Sequence, residues 1–162
     1  MQNQANLTSA RLRAREAAIS IDPRLIGKPE SNDGTLPIMK FDYRELPRIS
    51  EGIWHAQKAG WPRILTYDYV SDLVLRKRQA YAKRYENIRA AGVVFSRESS
   101  ADEYPFASTV ENAGSTFISN VPGQEQNRQG GLISAFYREH QQQILAGKPF
   151  WFEVKVINAP FD

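Results

Sequence analysis

The strongest pattern in the chain is helical. Between Glu125 and about Ala146, the residues Leu132, Ile133, Phe136, Tyr137, His140 and Ile144 fall at helical spacing, and Gly147 supplies a stop. A second helix is predicted from Leu46 to Gly60, where Ile49, Ile53 and Gln57 space one face ahead of Trp61–Pro62. Elsewhere the period shortens to two. Arg63–Val70 (RILTYDYV) alternates and begins as a strand, and Phe150–Ile157 (FWFEVKVI) alternates like a half-buried one. Shorter strands are predicted at Val93–Phe95, after Gly92, and at Ser115–Val121, stopped by Pro122–Gly123. A cation-rich helix runs from Ser71 to about Ala91, with Ser71 or Asp72 as its cap.

The first part of the chain reads differently. Residues 7–20 combine good helix formers with a possible Ser9 cap, which predicts a short exposed helix. Residues 22–37 carry three prolines, two glycines and the Ser31–Asn32–Asp33–Gly34 turn cluster, the composition of a linker. The expected organisation is therefore an N-terminal helix and linker over 1–37 and a compact domain over 38–162, of α+β class.

Composition narrows the chemistry. An apolar fraction of 41% in 162 residues is enough for a real core. There is no cysteine, so disulfides, thiol catalysis and cysteine-ligated zinc are excluded. The only histidines are His55 and His140, which excludes a multi-histidine metal site. His140 lies on the apolar side of its helix and is expected at the core edge, and His55 is expected to be structural, with an exposed contact role as the alternative. The net charge of +3 is compatible with a polyanionic partner. No apolar run approaches the roughly 20 residues of a membrane helix, and Met1–Arg15 lacks the apolar stretch of a signal peptide. Export, if any, is expected by a signal-peptide-independent route or as part of something larger.

Three clusters carry candidate chemistry. Asp102–Glu103 precede Tyr104–Pro105–Phe106, and carboxylate oxygens are hard ligands for Mg²⁺ or Mn²⁺ and acceptors for a proton from water. An isolated acid pair is more often a solvated loop. The run Gln124–Gly131 opens the long helix. Asn127 in its first turn offers an amide oxygen to a metal, and the helix N-terminus suits a phosphate. Gly130–Gly131 costs a helix roughly 1–2 kcal/mol against two alanines, which points to close approach of either a core backbone or a ligand. Third, Arg76, Lys77, Arg78, Lys83, Arg84 and Arg89 are opposed only by Glu86 and interleaved with Tyr81 and Tyr85. The stripe suits phosphates, and equally a solvated helix face.

The strings ADEYPFASTVENAG and VPGQEQNRQGGLISAFY resemble the signature of the NucA/NucB deoxyribonuclease family: Cys-Asp-Glu-Tyr/Trp-Pro, then Glu-Gly-Gly, then an Asn before a Gly-rich stretch. Asp102, Glu103, Tyr104 and Pro105 match the first element, Glu111 the second and Asn127 the third. With the lead-in GIWHAQKAGWPRILTYDYVSDLVLRKRQA, the resemblance spans roughly Pro47 to Val156. Ala101 stands where many members have cysteine, and Asn112–Ala113 replace the glycine pair. The cysteine-free form looks like the nuclease domains at the C-termini of bacterial polymorphic toxins, which implies delivery into a rival cell's cytoplasm and a cognate immunity protein.

The resemblance implies a ββα-metal core of two strands, a loop and a helix around one divalent ion, Mg²⁺ or Mn²⁺, cutting DNA with little sequence preference. Asp102 and Asn127 are expected to hold the ion. Glu103 is expected to deprotonate the attacking water, or to exchange roles with Asp102, and Glu111 to serve as an outer partner or loop anchor. Arg76, Arg78, Arg128 and Gln129 are expected on the DNA backbone. A glutamate base with the ordinary pKa near 4.3 would keep its activity until pH falls well below 6. The alternatives are a ribonuclease toxin of the same class and a non-catalytic nucleic-acid binding module.

Overall fold

In β5 (Trp151–Ile157), side-chain alternation turns Phe152 and Val154 inward, both fully buried. This strand is the centre of a three-stranded sheet in the computed structural model, which describes residues 10, 13–92 and 99–161. β1 (Ile38–Asp42) runs parallel to β5, Ile38 opposite Glu153, and β2 (Ile64–Thr66) runs antiparallel to it, Leu65 opposite Phe152. Met39 and Phe41 of β1 and Leu65 of β2 join the same core. Each such side chain contributes about 1.5–3 kcal/mol by burial.

The helix α2 (Pro47–Lys58) carries the expected stripe: Ile49, Ile53, Ala56 and Gln57 are buried, with Pro47 at its first turn and Gly60 beyond its end at φ 109°. It touches β1 and β5 on one side and a second, two-stranded sheet on the other. That sheet pairs β3 (Ser99–Tyr104) with β4 (Phe117–Pro122), antiparallel, with Asp102 opposite Ser119 and Glu103 opposite Ile118. Contact between α2 and β4 is close at Gly52, where a Cβ would lie 2.6 Å from Ser119 Oγ. Tyr104 ties the two sheets together. Its hydroxyl donates to Pro62 O at 2.6 Å and accepts from Gln57 Nε2, which also donates to Val154 O.

From β4 the chain enters α4 (Gly123–Glu139) directly, so β3, β4 and α4 form a strand–loop–strand–helix unit. Phe136 and Tyr137 seat α4 on the core, with Leu132 and Ile133 packed beside them. The expected single helix breaks at His140, and a short α5 (Gln141–Ile144) completes it. His140 packs against Phe136 and Phe150, at the core edge as expected. His55 is exposed, 3.8 Å from Glu51. The helix α3 (Leu73–Ala91) starts at Asp72, whose carboxylate accepts from the N–H groups of Val74 and Leu75. It buries only Asn87, so apolar packing does not hold it in place; polar contacts do.

Helical residues 13–20 (α1) precede a coil with one 3-10 turn, Pro23–Leu25. This strap is bonded to the body: Arg24 pairs with Asp68, and Trp151 Nε1 donates to Arg24 O. The architecture is α+β. The expected strand Val93–Phe95 lies outside the described residues, and Arg63–Val70 is strand only over β2. Two strands were not among those expected, β1 and β3. The second matters most, because it moves Asp102 and Glu103 from a loop onto the strand itself.

Candidate active site

Alternation along β3 turns the adjacent acids to different partners. Asp102, 4% exposed, lies beside the Gln129 amide of α4. Glu103, 8% exposed, accepts at Oε2 from Asn87 Nδ2 of α3 at 2.7 Å, with Asn112 also beside it. Both acids line one cavity of about 390 Å³ between β3, α3 and α4. Arg76, Lys83 and Arg84 line it too, and so do Gln126 and Gln129.

Burial dominates the acids' protonation, because a carboxylate loses its hydration there. It pushes Asp102 up to about 7; the Gln129 amide opposes the rise, the Glu103 charge adds to it, and Arg84 opposes it. Glu103 is also raised by burial, against the Asn87 and Asn112 amides and the Arg84 and Lys83 charges. The ordinary glutamate value expected from the sequence therefore does not apply at this site. A buried strand, not a solvated loop, carries the pair.

The cations are positioned by helical periodicity. Arg76, Ala80, Lys83, Arg84 and Asn87 share the inner face of α3, whereas Arg78 is exposed and does not line the cavity. Arg76 Nη1 donates to Tyr67 OH at 2.6 Å, Arg84 Nη2 donates to Ser100 Oγ at 2.7 Å, and Lys83 Nζ lies 3.3 Å from Asp68 Oδ2. On α4 the same logic brings Gln126, Gln129, Gly130 and Ile133 to the cavity. Asn127, one residue and about 100° around the helix from Gln126, is exposed and is not brought to the acids. Arg128 is exposed as well, donating to Glu45 O at 3.2 Å.

One polar atom on this wall, Gln126 Oε1, is buried without a hydrogen-bond partner, whereas the Gln129 amide has the Asp102 carboxyl beside it. Buried amide atoms are rarely left so, and Gln126 is a residue of the cavity wall. Gly130 also faces the cavity, and a Cβ at Gly130 or Gly131 would meet nothing within 4 Å. Tight packing against the protein therefore does not explain that glycine pair.

Glu111 stands apart from this cavity. From the 3-10 turn Val110–Ala113 its carboxylate accepts from Thr66 N (2.8 Å), Thr66 Oγ1 (2.9 Å) and Lys28 Nζ (2.9 Å), which anchors the β3–β4 loop to β2 and the strap. Replacing it by alanine leaves the buried Thr66 N–H without its acceptor and half-buried Lys28 without its counter-charge, with Ile64 O still accepting from it. Glu111→Ala is expected to cost about 3 kcal/mol in urea unfolding while the turnover of the folded fraction stays unchanged.

Sequence reasoning missed Asn87, Gln126 and the division of the cationic stripe into two faces. The signal available was the spacing Arg76–Ala80–Lys83–Asn87, which puts a neutral amide in line with the inward cations.

Residues 53–152, well over half of the chain, match the family model of the deoxyribonuclease NucA/NucB group. That match makes the protein a nuclease of the DNA-cleaving class. The chain belongs to the NucA/NucB deoxyribonuclease family. Asp102, Glu103, Glu111, Gln126, Asn127 and Gln129 all fall inside the matched span. A search among curated proteins finds no match.

Proposed function

We propose that the chain is a divalent-metal-dependent, largely non-specific DNA endonuclease that acts as an antibacterial toxin. The observation that carries the catalytic part is the buried pair Asp102–Glu103 in the wall of a cavity lined by Arg76, Lys83 and Arg84. Cations there suit phosphate oxygens, and contacts to phosphates carry little sequence information.

The donor set fits one loosely held hard ion. Among the described residues no three acids or histidines gather as an all-protein cage. Mg²⁺ keeps several waters and needs only one or two carboxylates beside the substrate's own oxygens. Asp102 would hold it, and Gln126, whose Oε1 is buried and unpartnered, is the amide residue at the start of α4 that lines the same cavity, where Asn127 does not. Bound there, the ion would neutralise the scissile phosphate and stabilise the leaving oxygen. Glu103 takes the proton of the attacking water, held in place by the Asn87 amide on its Oε2. Arg76, Lys83 and Arg84 grip the phosphates on either side.

Plasmid and total RNA, incubated side by side with Mg²⁺, Mn²⁺ or EDTA, test this reading. DNA is expected to be nicked with either ion and to stay intact in EDTA; full cleavage in excess chelator overturns the metal requirement, and a preference for RNA overturns the substrate. The grip has its own measurement. Arg76→Ala and Arg84→Ala should each lower the slope of log K against log salt for duplex binding by about one unit.

The toxin reading rests on the resemblance of Asp102–Thr109 to nuclease domains of polymorphic toxins, and on a cysteine-free chain suited to a reducing cytoplasm. This reading carries with it delivery into a rival cell and a cognate immunity protein that protects the producer. No helix of the described residues is long and apolar enough to cross a membrane. Expression in a bacterial cytoplasm should be lethal, and harmless for Asp102→Ala.

A further inference from the structure

The strap ahead of β1 lies outside the family-matched residues, yet it reaches the support of Glu103. From α1, Arg15 Nη2 donates to Asn87 Oδ1 at 2.8 Å and to Asn112 O at 3.0 Å, and Arg15 Nε donates to Ala113 O at 2.7 Å. Asn87 then donates from Nδ2 to Glu103 Oε2 at 2.7 Å. The chain Arg15–Asn87–Glu103 is continuous.

Its direction is set by chemistry. An asparagine amide can present either its oxygen or its nitrogen, and turning the oxygen toward a carboxylate would repel it. A guanidinium has only donors, so Arg15 pins the oxygen on its own side and leaves Nδ2 for Glu103. The same side chain holds the carbonyls of Asn112 and Ala113, next to the Asn112 amide that also faces Glu103.

The body is shaped to receive α1. Glu16 Oε1 accepts from Ser115 N at 2.7 Å, and Gly114 lies directly under the helix, where a Cβ would collide with Ile19 Cδ1. A side chain at 114 would have to displace Ile19 and the Glu16 carboxylate, two of the side chains that seat α1 on the loop.

We infer that Arg15 is a positioning residue of the nuclease site, acting through Asn87 on Glu103, so that the N-terminal strap is a working part of the site. The inference rests on the reading that Glu103 takes part in cleavage. It asks for more than packing from α1: loss of the guanidinium should spare substrate binding and slow the chemical step.

Plasmid nicking by the full chain, with Arg15→Ala, Asn87→Ala and the double variant, tests it. Arg15→Ala is expected to lower kcat about tenfold or more, with KM for DNA changed by less than about twofold. The double variant should be no slower than Asn87→Ala alone. Guanidinium ion, far below denaturing concentration, should restore part of the rate of Arg15→Ala and none of that of Asn87→Ala. Arg15→Met, which keeps the aliphatic stem, carries the same expectation should the alanine variant unfold. A folded Arg15 variant with wild-type kcat overturns the inference, and so do multiplicative losses without guanidinium rescue, which would assign Arg15 to the fold alone. A wild-type protein inert on DNA overturns the nuclease reading and this one with it; a nicking wild type with an indifferent Arg15 overturns only this one.

Discussion

Asp102→Asn and Glu103→Gln should each slow plasmid nicking by a hundredfold or more, in protein that is folded and binds DNA at least as well as the wild type. Removal of a general base alone typically costs about 10²–10⁴ in rate. Both substitutions keep the shape of the side chain, so the buried setting of β3 is not emptied. Each removes a negative charge from a cavity lined by Arg76, Lys83 and Arg84, so affinity for a polyanion should hold or rise. Nicking assays, thermal melts and a duplex-binding titration on the same preparations separate the three effects. Should both variants cleave at the wild-type rate, the acids are incidental and a nucleic-acid binding module is the better description. Should only Glu103→Gln survive, Asp102 is the base.

The comparison with Glu111 sharpens this expectation. All three acids belong to the same signature and all three are buried, yet only Asp102 and Glu103 line the cavity shared with Arg76, Lys83 and Arg84. Glu111 has its carboxylate engaged by a backbone N–H, a hydroxyl and an ammonium, which ties both of its oxygens to structural partners. Burial alone does not make a carboxylate reactive. What distinguishes the pair on β3 is burial beside a cavity lined by cations, with both carboxyls pushed up by desolvation.

Periodicity made the fold's frame legible. The stripes of α2 and α4 and the alternation of β5 stand clear in the sequence because each buries one face against the same core. β3 was invisible for the same reason in reverse. Ser99–Tyr104 is polar over most of its length, and its acids are buried by α3, α4 and the 3-10 turn, which come from distant parts of the chain. The acids could be named from chemistry and signature, but their setting could not. Asn127 and Gln126 show the same limit at finer grain, since they are adjacent amides near the start of α4 and a rotation of about 100° decides which one meets the cavity. Arg76 and Arg78 differ likewise. The strap was legible only as an exposed helix and a linker, not as a part of the body, because its order comes from Arg15, Arg24 and Lys28 reaching partners far along the chain.

The pH response should carry the mark of Asp102. In the metal-free fold its pKa stands at about 7 against an ordinary 3.8, so between those values the folded state holds a proton that the unfolded chain releases. Stability from this group is therefore fully present below about pH 4, is lost progressively as pH rises, and is gone above about 7. Glu103, also raised, acts in the same sense; Asp22 and Asp42, lowered by Arg24 and Arg44, act in the opposite one. The clean measurement is the difference between wild type and Asp102→Asn. The variant should gain on the wild type by a few kcal/mol, on the order of magnitude that a shift of this size implies, between pH 4.5 and pH 8. A divalent ion held by Asp102 must displace that proton, so its apparent affinity should fall about tenfold per pH unit below 7. The acid limb of the nicking rate should then lie near pH 7 at scarce Mg²⁺ or Mn²⁺ and move to lower pH as the ion is raised. Thermal melts should show stabilisation by the ion at pH 8, little at pH 5, and none in Asp102→Asn. An acid limb that stays put over a thousandfold range of metal, three decades that should shift it by about three units, would detach Asp102 from the ion. The proton would then belong to catalysis itself, with Asp102 as the base.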